Sequence, residues 1–298
     1  MIERRTNWRG VFVPVVTPFT KSYEFDEKAC RQIIELLIQD GVHGIIVAGS
    51  TGEWFTMNDS ERKRLFEVAK DQVKGRVTLL GGTSAIATRD AVSLTKAAKD
   101  IGMDGTLVLP PPYALPNEKE VLAYYEAIAN VGLPIMVYNN PARTQVNINA
   151  KLAGKLASFG SVVALKDSVK DLYQMAETIR AVGDRLAMFC GLEPYALPLI
   201  QRDAVGIVAM APNIMGRKAV ALYTHAVAGQ WSEAFEVERV IDRLYTAFYS
   251  GGYSAYVVIK ECMNLVGRPG GWPRPPLLPM AENDRKELKR QLQELGLL

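Results

Sequence analysis

The chain has 298 residues, 22% charged and 48% hydrophobic, ordinary proportions for a globular protein able to bury a large core. Its 35 basic and 32 acidic residues leave a net charge of +3, which points to no nucleic acid and no membrane surface as partner. Three scattered cysteines outside any CxxC pattern and only two histidines argue against a disulfide framework and against a histidine-built metal site.

No stretch is apolar for long enough to span a bilayer, and the N-terminus lacks the apolar core of a signal peptide, so a cytoplasmic location is expected. The early cluster Glu3-Arg4-Arg5 is too short for a basic arm and reads as a solvated terminus. Short apolar runs then recur along the chain, each followed by a helical pattern. They predict strands at 11–16, 44–48, 77–80, 105–109, 134–138, 162–166, 186–190 and 205–209. The runs are continuously apolar instead of alternating, as parallel strands covered on both faces require.

Helix signals fill the intervals. Cys30, Ile33, Ile34, Leu37 and Ile38 make one apolar stripe, with Gly41 placed to end it. Asn58 with Glu61, and Asn117 with Glu120, read as capping boxes. Thr88 is a candidate cap for a helix burying Ala91, Leu94, Ala98 and Ile101, and Asn149 for one ending near Gly160. Eight alternating units predict an α/β fold, a (β/α)8 TIM barrel over residues 1–229. Residues 230–298 are expected to form a C-terminal helical extension packed on that barrel. A doubly wound sheet is the alternative for alternating units, but no GxGxxG follows the first strand.

Barrel chemistry sits at the C-terminal ends of the strands. There the chain places Gly49-Ser50-Thr51-Gly52-Glu53 after strand 2, Pro112-Tyr113 after strand 4 and Tyr138-Asn139-Asn140-Pro141-Ala142-Arg143 at strand 5. Strand 6 ends in Lys166-Asp167-Ser168, strand 7 in Gly191-Leu192-Glu193 and strand 8 in Ala209-Met210-Ala211-Pro212-Asn213. A lysine leaving an apolar run is poorly hydrated and presents more of its neutral amine, which attacks carbonyls; a tyrosine beside it can move the protons.

Taken singly, these residues have plainer uses. Strand-end lysines usually snorkel to solvent, and buried tyrosines usually bond a backbone group. Ser50 and Thr51 could simply cap a helix, and Arg143 could pair with a surface carboxylate. Glu53 reads as a structural carboxylate bonding loop amides, Gly81-Gly82-Thr83 as a backbone turn, and His43 as a satisfied structural histidine.

Taken together and in order, the GSTGE segment, Tyr-Asn-x-Pro and the strand-end lysine give a pattern that resembles the dihydrodipicolinate synthase and N-acetylneuraminate lyase family. These are class I aldolase-type lyases acting through pyruvate or another 2-oxo acid, and the resemblance runs from about Gly10 into the C-terminal helices. It implies that Lys166 forms the Schiff base, that Tyr138 donates and accepts protons, and that Ser50 relays them. It implies further that Thr51 holds the 2-oxo acid carboxylate, that Val208 lines the pyruvate pocket with its backbone, and that Arg143 binds a second substrate's carboxylate. Tyr113 matches a relay tyrosine that reaches in from a neighbouring subunit, and the family implies a homotetramer built from tight dimers. No metal or organic cofactor is called for.

Departures lie at what read as pocket-rim positions. Ser50 stands where synthases usually carry threonine, Pro112 where a tyrosine is common, and Asp167 where glutamate is frequent; Asn140, Leu192 and Glu193 also differ. The resulting expectation is a Schiff-base lyase performing aldol addition or cleavage, or dehydrating a 3-deoxy-2-oxo acid. The alternatives are a 4-hydroxy-tetrahydrodipicolinate synthase using aspartate semialdehyde, and a non-catalytic barrel that binds a 2-oxo acid.

Overall fold

A computed structural model describes residues 5–249 and 251–298. Eight parallel strands close into a barrel in sequence order. They are β1 (Gly10–Pro14), β2 (Gly44–Val47), β3 (Thr78–Gly82), β4 (Gly105–Val108), β5 (Ile135–Asn139), β6 (Val162–Asp167), β7 (Ala187–Cys190) and β8 (Gly206–Val208). The helices on the barrel wall are α1 (Glu27–Gln39), α2 (Asp59–Val73), α3 (Thr88–Ile101), α4 (Glu118–Ala129), α5 (Pro141–Thr144), α6 (Ala150–Leu156), α7 (Leu172–Val182), α8 (Ala196–Ile200), α9 (Pro212–Met215) and α10 (Arg217–Val227). Three more follow: α11 (Trp231–Phe248), α12 (Ala255–Leu265) and α13 (Glu282–Glu294). The (β/α)8 barrel with added C-terminal helices is therefore the architecture, and each expected strand is present with its ends moved by no more than two residues.

Local chemistry explains the helix starts. Asn58 and Asn117 each accept bonds at the third helical residue while Glu61 and Glu120 bond back, completing both capping boxes. Asn149 caps α6 through Leu152, although that helix stops at Leu156 and not near Gly160. Thr88 does not cap α3. It is the first helical residue, and Ala87 before it offers no side-chain acceptor.

The barrel interior is filled by Trp8, Phe12, Ile46, Leu80, Leu107, Met136, Val163, Phe189 and Val208, a core distinct from the one between strands and helices. Phe12 and Phe189 meet with ring centroids 4.9 Å apart. Strand-start glycines make room for these rings: a Cβ on Gly44 would lie 2.7 Å from the Phe12 ring, and one on Gly206 2.6 Å from Phe189. Aromatic bulk thus fills the N-terminal half of the cylinder and leaves the C-terminal mouth open.

Two smaller expectations change. Gly81 and Gly82 belong to β3 instead of a turn, and Gly82 has its own packing reason: a Cβ there would sit 2.0 Å from the Ala48 carbonyl oxygen. Of the early charged cluster, Glu3 and Arg4 lie outside the described residues, whereas Arg5 donates to the carbonyls of Ala157 and Phe159. His43 is satisfied, its Nδ1 accepting from the Val11 amide at 3.1 Å. Among the described residues no helix is long and apolar enough to cross a membrane.

Candidate active site

Strand register sets the central pair. Tyr138 on β5 lies directly opposite Lys166 on β6, both side chains facing inward near the strand ends. Lys166 is only 5% exposed, and its Nζ stands 3.8 Å from the centre of the Tyr138 ring. Beside it Gly191 leaves the space: a Cβ at that position would lie 3.0 Å from Lys166 Cε and 2.1 Å from Ser168 Oγ. Burial alone would raise the Tyr138 phenol's pKa. The adjacent Lys166 charge and hydrogen bonds involving Asn140, Ser168 and Lys166 outweigh it and bring the phenol below its usual range. Asn140 Nδ2 donates to the phenol oxygen at 2.8 Å.

The segment after β2 forms the second wall. Ala48 and Glu53 both adopt left-handed backbone conformations, with φ of 51° and 54°, folding the five residues into a tight loop. Thr17 Oγ1 donates to the Gly52 carbonyl at 2.7 Å, and Thr56 Oγ1 to the Glu53 carbonyl at 2.9 Å. Glu53 is fully buried and paired with Lys260 of α12, while its Oε2 accepts from the Arg274 amide at 3.1 Å. It is a structural carboxylate, as its place in the loop predicts, but its partner lies more than two hundred positions away and has no local signal. The loop so held presents Ser50 and Thr51 to the same cavity as Lys166.

That cavity, about 160 Å³, is lined by Ser50, Thr51, Tyr138, Arg143, Lys166 and Val208. Six of the seven residues singled out from sequence therefore meet. Tyr113 does not. It lies on the loop after β4, 90% exposed, outside this chain's cavity. Ser168 Oγ donates to the Gly191 carbonyl at 3.1 Å, and the hydrogen-bond donor to the Tyr138 phenol is Asn140 and not Ser50.

Part of the remaining lining comes from residues that sequence reasoning misses. Tyr245 and Tyr249 of α11 and its C-terminal end, and Tyr256 of α12, close the mouth from the C-terminal helices, with Lys170 beside them. The Arg143 guanidinium stands over the Tyr256 ring at 5.5 Å. Burial, with little to offset it, pushes the Tyr256 phenol up to about 12. A tyrosine every few residues in an amphipathic helix looks like ordinary packing, so no local signal marks these three.

The departures divide into two groups. Asn140 and Leu192 do line the cavity. Asp167 and Glu193 are not rim residues but sit buried behind the wall. Asp167 Oδ1 accepts from Asn139 Nδ2 at 2.9 Å and from the Val169 amide at 3.0 Å, and burial pushes it up to about 6. Glu193 accepts from the Met210 and Ala211 amides at 3.0 and 2.9 Å, and burial likewise pushes it up to about 7. Both carboxylates hold the strand ends that carry Lys166 and Val208. Among the described residues, no group of three or more His, Cys, Asp or Glu could hold a metal ion.

Residues 7–295 match the sequence profile of the Dihydrodipicolinate synthetase family. The chain belongs to that family. An "uncharacterized DapA-like lyase" of Rhizobium meliloti is 43% identical over 294 residues, 99% of this chain and 98% of the relative. A 4-hydroxy-tetrahydrodipicolinate synthase of Thermus thermophilus is 34% identical over 98% of this chain and 97% of its own. The structure of YagE, a prophage protein of the same family from E. coli K12 in complex with pyruvate, superposes with a TM-score of 0.94. It is 28% identical and covers 98% of this chain and all of its own. The protein is thus a lyase of the class I aldolase type, and the barrel with its C-terminal helices is the family's architecture.

Proposed function

We propose that Lys166 forms a Schiff base with pyruvate or another 2-oxo acid, as the first step of aldol addition, aldol cleavage or dehydration. The observation that carries this reading is Lys166 Nζ, nearly buried, 3.8 Å from the Tyr138 ring inside a cavity also lined by Ser50 and Thr51. The amine attacks the keto carbon, and the carbonyl electrons move to oxygen, which takes a proton by way of Tyr138 to give a carbinolamine. Loss of the hydroxyl as water, with a proton from the same phenol, leaves a protonated imine. That imine is the electron sink for making or breaking the adjacent carbon–carbon bond or for expelling a β-hydroxyl. Thr51 holds the substrate carboxylate, and Val208 contributes backbone to the pocket floor.

Incubation with pyruvate and borohydride tests the reading. A reduced pyruvate adduct on Lys166, absent from Lys166→Ala, is the expected mass; an unmodified lysine rejects Schiff-base chemistry and leaves a non-catalytic binding barrel. Arg143 favours a second, narrower reading, a 4-hydroxy-tetrahydrodipicolinate synthase, because its guanidinium lines the mouth where a second carboxylate would enter. Turnover of aspartate semialdehyde against a panel of sugar-derived 2-oxo acids separates the two. We further propose a cytoplasmic homotetramer, for which mass measurement in solution is the check. In such an assembly Tyr113, outside its own chain's cavity, would be free to meet a neighbouring copy.

A further inference from the structure

One residue beyond the Tyr138–Lys166 pair, β5 and β6 carry Asn139 and Asp167, again directly opposite each other. Successive strand residues face opposite ways, so this second pair sits on the outer face of the wall while the first looks into the cavity. Both are buried, and Asn139 Nδ2 donates to Asp167 Oδ1 at 2.9 Å. Asn139 Oδ1 accepts from the Ile148 amide at 2.9 Å and Asp167 Oδ1 from the Val169 amide at 3.0 Å, which ties the rung to the segments after both strands. Asn139 Nδ2 also reaches Asn147 Oδ1 at 3.2 Å, and Asn147 exchanges two bonds with Gln174 of α7, at 2.7 and 2.9 Å. The start of the same ladder gives a reason for such a pin. Ile135 pairs with Val162 but Met136 with Ala164, so Val163 is passed over and the register moves by one residue. Register beyond a bulge does not follow from the pairing before it, and a slip of one residue reverses the face each side chain presents.

We propose that Asn139 and Asp167 are positioning residues for Schiff-base formation, their rung on the outer face of the wall holding Tyr138 against Lys166 on the inner face. The proposal rests on the Schiff-base reading above. Neither residue lines the cavity, so neither touches substrate. Both act through the 3.8 Å approach of Lys166 Nζ to the Tyr138 ring, and a misplacement of about 1 Å at reacting groups costs on the order of 100-fold in rate. Thr51 and Val208, which hold the 2-oxo acid, belong to the loop after β2 and to β8 and keep their places when the rung is lost. The rung also sets how strongly the Lys166 charge acts on the phenol. The other charged or titratable groups around that phenol are Arg143, Lys170 and the three tyrosines of the C-terminal helices, with Asp167 and Glu193 behind the wall.

The test is the single-turnover rate of borohydride-trappable adduct formation, measured against pyruvate concentration and pH for wild type, Asn139→Ala, Asp167→Ala, the double alanine variant and Asp167→Asn. Each alanine variant is expected to lower the limiting rate by about 10-fold to 100-fold while leaving the half-saturating pyruvate concentration within about threefold. Because the two residues form one rung, the double variant should be no slower than the slower single one. Asp167→Asn keeps an oxygen for Asn139 Nδ2 and the Val169 amide, and its limiting rate should stay within about threefold of wild type. Loss of the Asp167 carboxylate alone would move the alkaline limb of the profile down, since an anion beside a phenol holds its proton on. The alanine variants should instead move it up, as the Lys166 charge recedes from the phenol. Asn139→Ser, one atom too short to reach Asp167, carries the same expectations should either alanine variant fail to fold. Limiting rates within about twofold of wild type, effects that multiply in the double variant, a loss confined to pyruvate affinity, or an Asp167→Asn profile matching that of Asp167→Ala would each overturn the proposal. Absence of any adduct in wild type is a different result, since it removes the Schiff base itself.

Discussion

Tyr138 is pulled in two directions, burial against the adjacent Lys166 and two polar neighbours, Asn140 and Ser168, and the neighbours win. A phenol below its usual range gives up its proton more readily, as the proposed acid–base role needs. Tyr138→Phe should therefore slow turnover by about 10²–10⁴-fold, measured as kcat with whichever 2-oxo acid is turned over. In the wild type, the alkaline limb of the rate profile should begin below that of an ordinary tyrosine, because loss of the phenol proton removes the acid. Asp167 makes the opposite case. Its folded pKa of about 6 lies above the ordinary value of 3.8, so between those values the folded chain keeps a proton the unfolded chain has lost. Its contribution to stability is full below about pH 4, falls as pH rises to about 6, and is level beyond. Asp167→Asn keeps the bonds to Asn139 and Val169 on Oδ1, and it replaces Oδ2, a buried atom with no bonded partner. Relative to wild type, that variant should gain on the order of 2 kcal/mol between pH 4 and pH 8, read from denaturant melts at the two pH values.

At the scale of elements, the tight loop after β2 and helix α12 behave as one unit. The loop's left-handed residues Ala48 and Glu53 cost conformational energy that the Glu53–Lys260 pair, the Arg274 amide and the Thr17 hydroxyl offset. Lys260 is 1% exposed and also donates to the Trp272 carbonyl at 2.8 Å, which satisfies a second of its protons. Burial depresses its pKa to about 8, the attraction of Glu53 notwithstanding. Removing one member of such a pair leaves the other charge buried alone. Lys260→Met should accordingly destabilise the protein by about 3–5 kcal/mol in chemical denaturation. Adding Glu53→Gln should recover part of that loss, because no uncompensated charge remains. If the loop is what aims Ser50 and Thr51, the single variant should lose activity more steeply than stability as temperature rises.

Across the whole molecule, one hydrophobic cluster joins the barrel wall to the last three helices. It contains Ile33, Val68 and Ile179 from the wall together with Leu244, Phe248, Ile259 and Leu292 from the tail. The C-terminal helices from residue 230 onward thus share a core with the barrel wall. We expect a single cooperative thermal transition, with helical circular dichroism and borohydride-trappable Lys166 lost together. A separate early loss of trapping would mean that the C-terminal helices detach first. The same packing explains why the cavity needs those helices: Tyr245, Tyr249 and Tyr256 supply its outer wall.

The eight strands were legible because a strand buried on both faces must be apolar throughout, a constraint that each segment carries by itself. The capping boxes at Asn58 and Asn117 were legible for a similar reason, since both partners lie within four residues. Lys166 and Tyr138 could be picked out because barrel closure brings strand ends together, whereas Ser50, Thr51, Arg143 and Val208 came with the family resemblance. What stayed hidden were pairings with no local trace. Glu53 meets Lys260, Tyr256 joins Ser50 in lining the cavity, and the tyrosines of α11 and α12 turn inward. Amphipathic spacing tells that a helix has a buried face, but only the tertiary contacts decide which side chains on that face look into a cavity and which into the core.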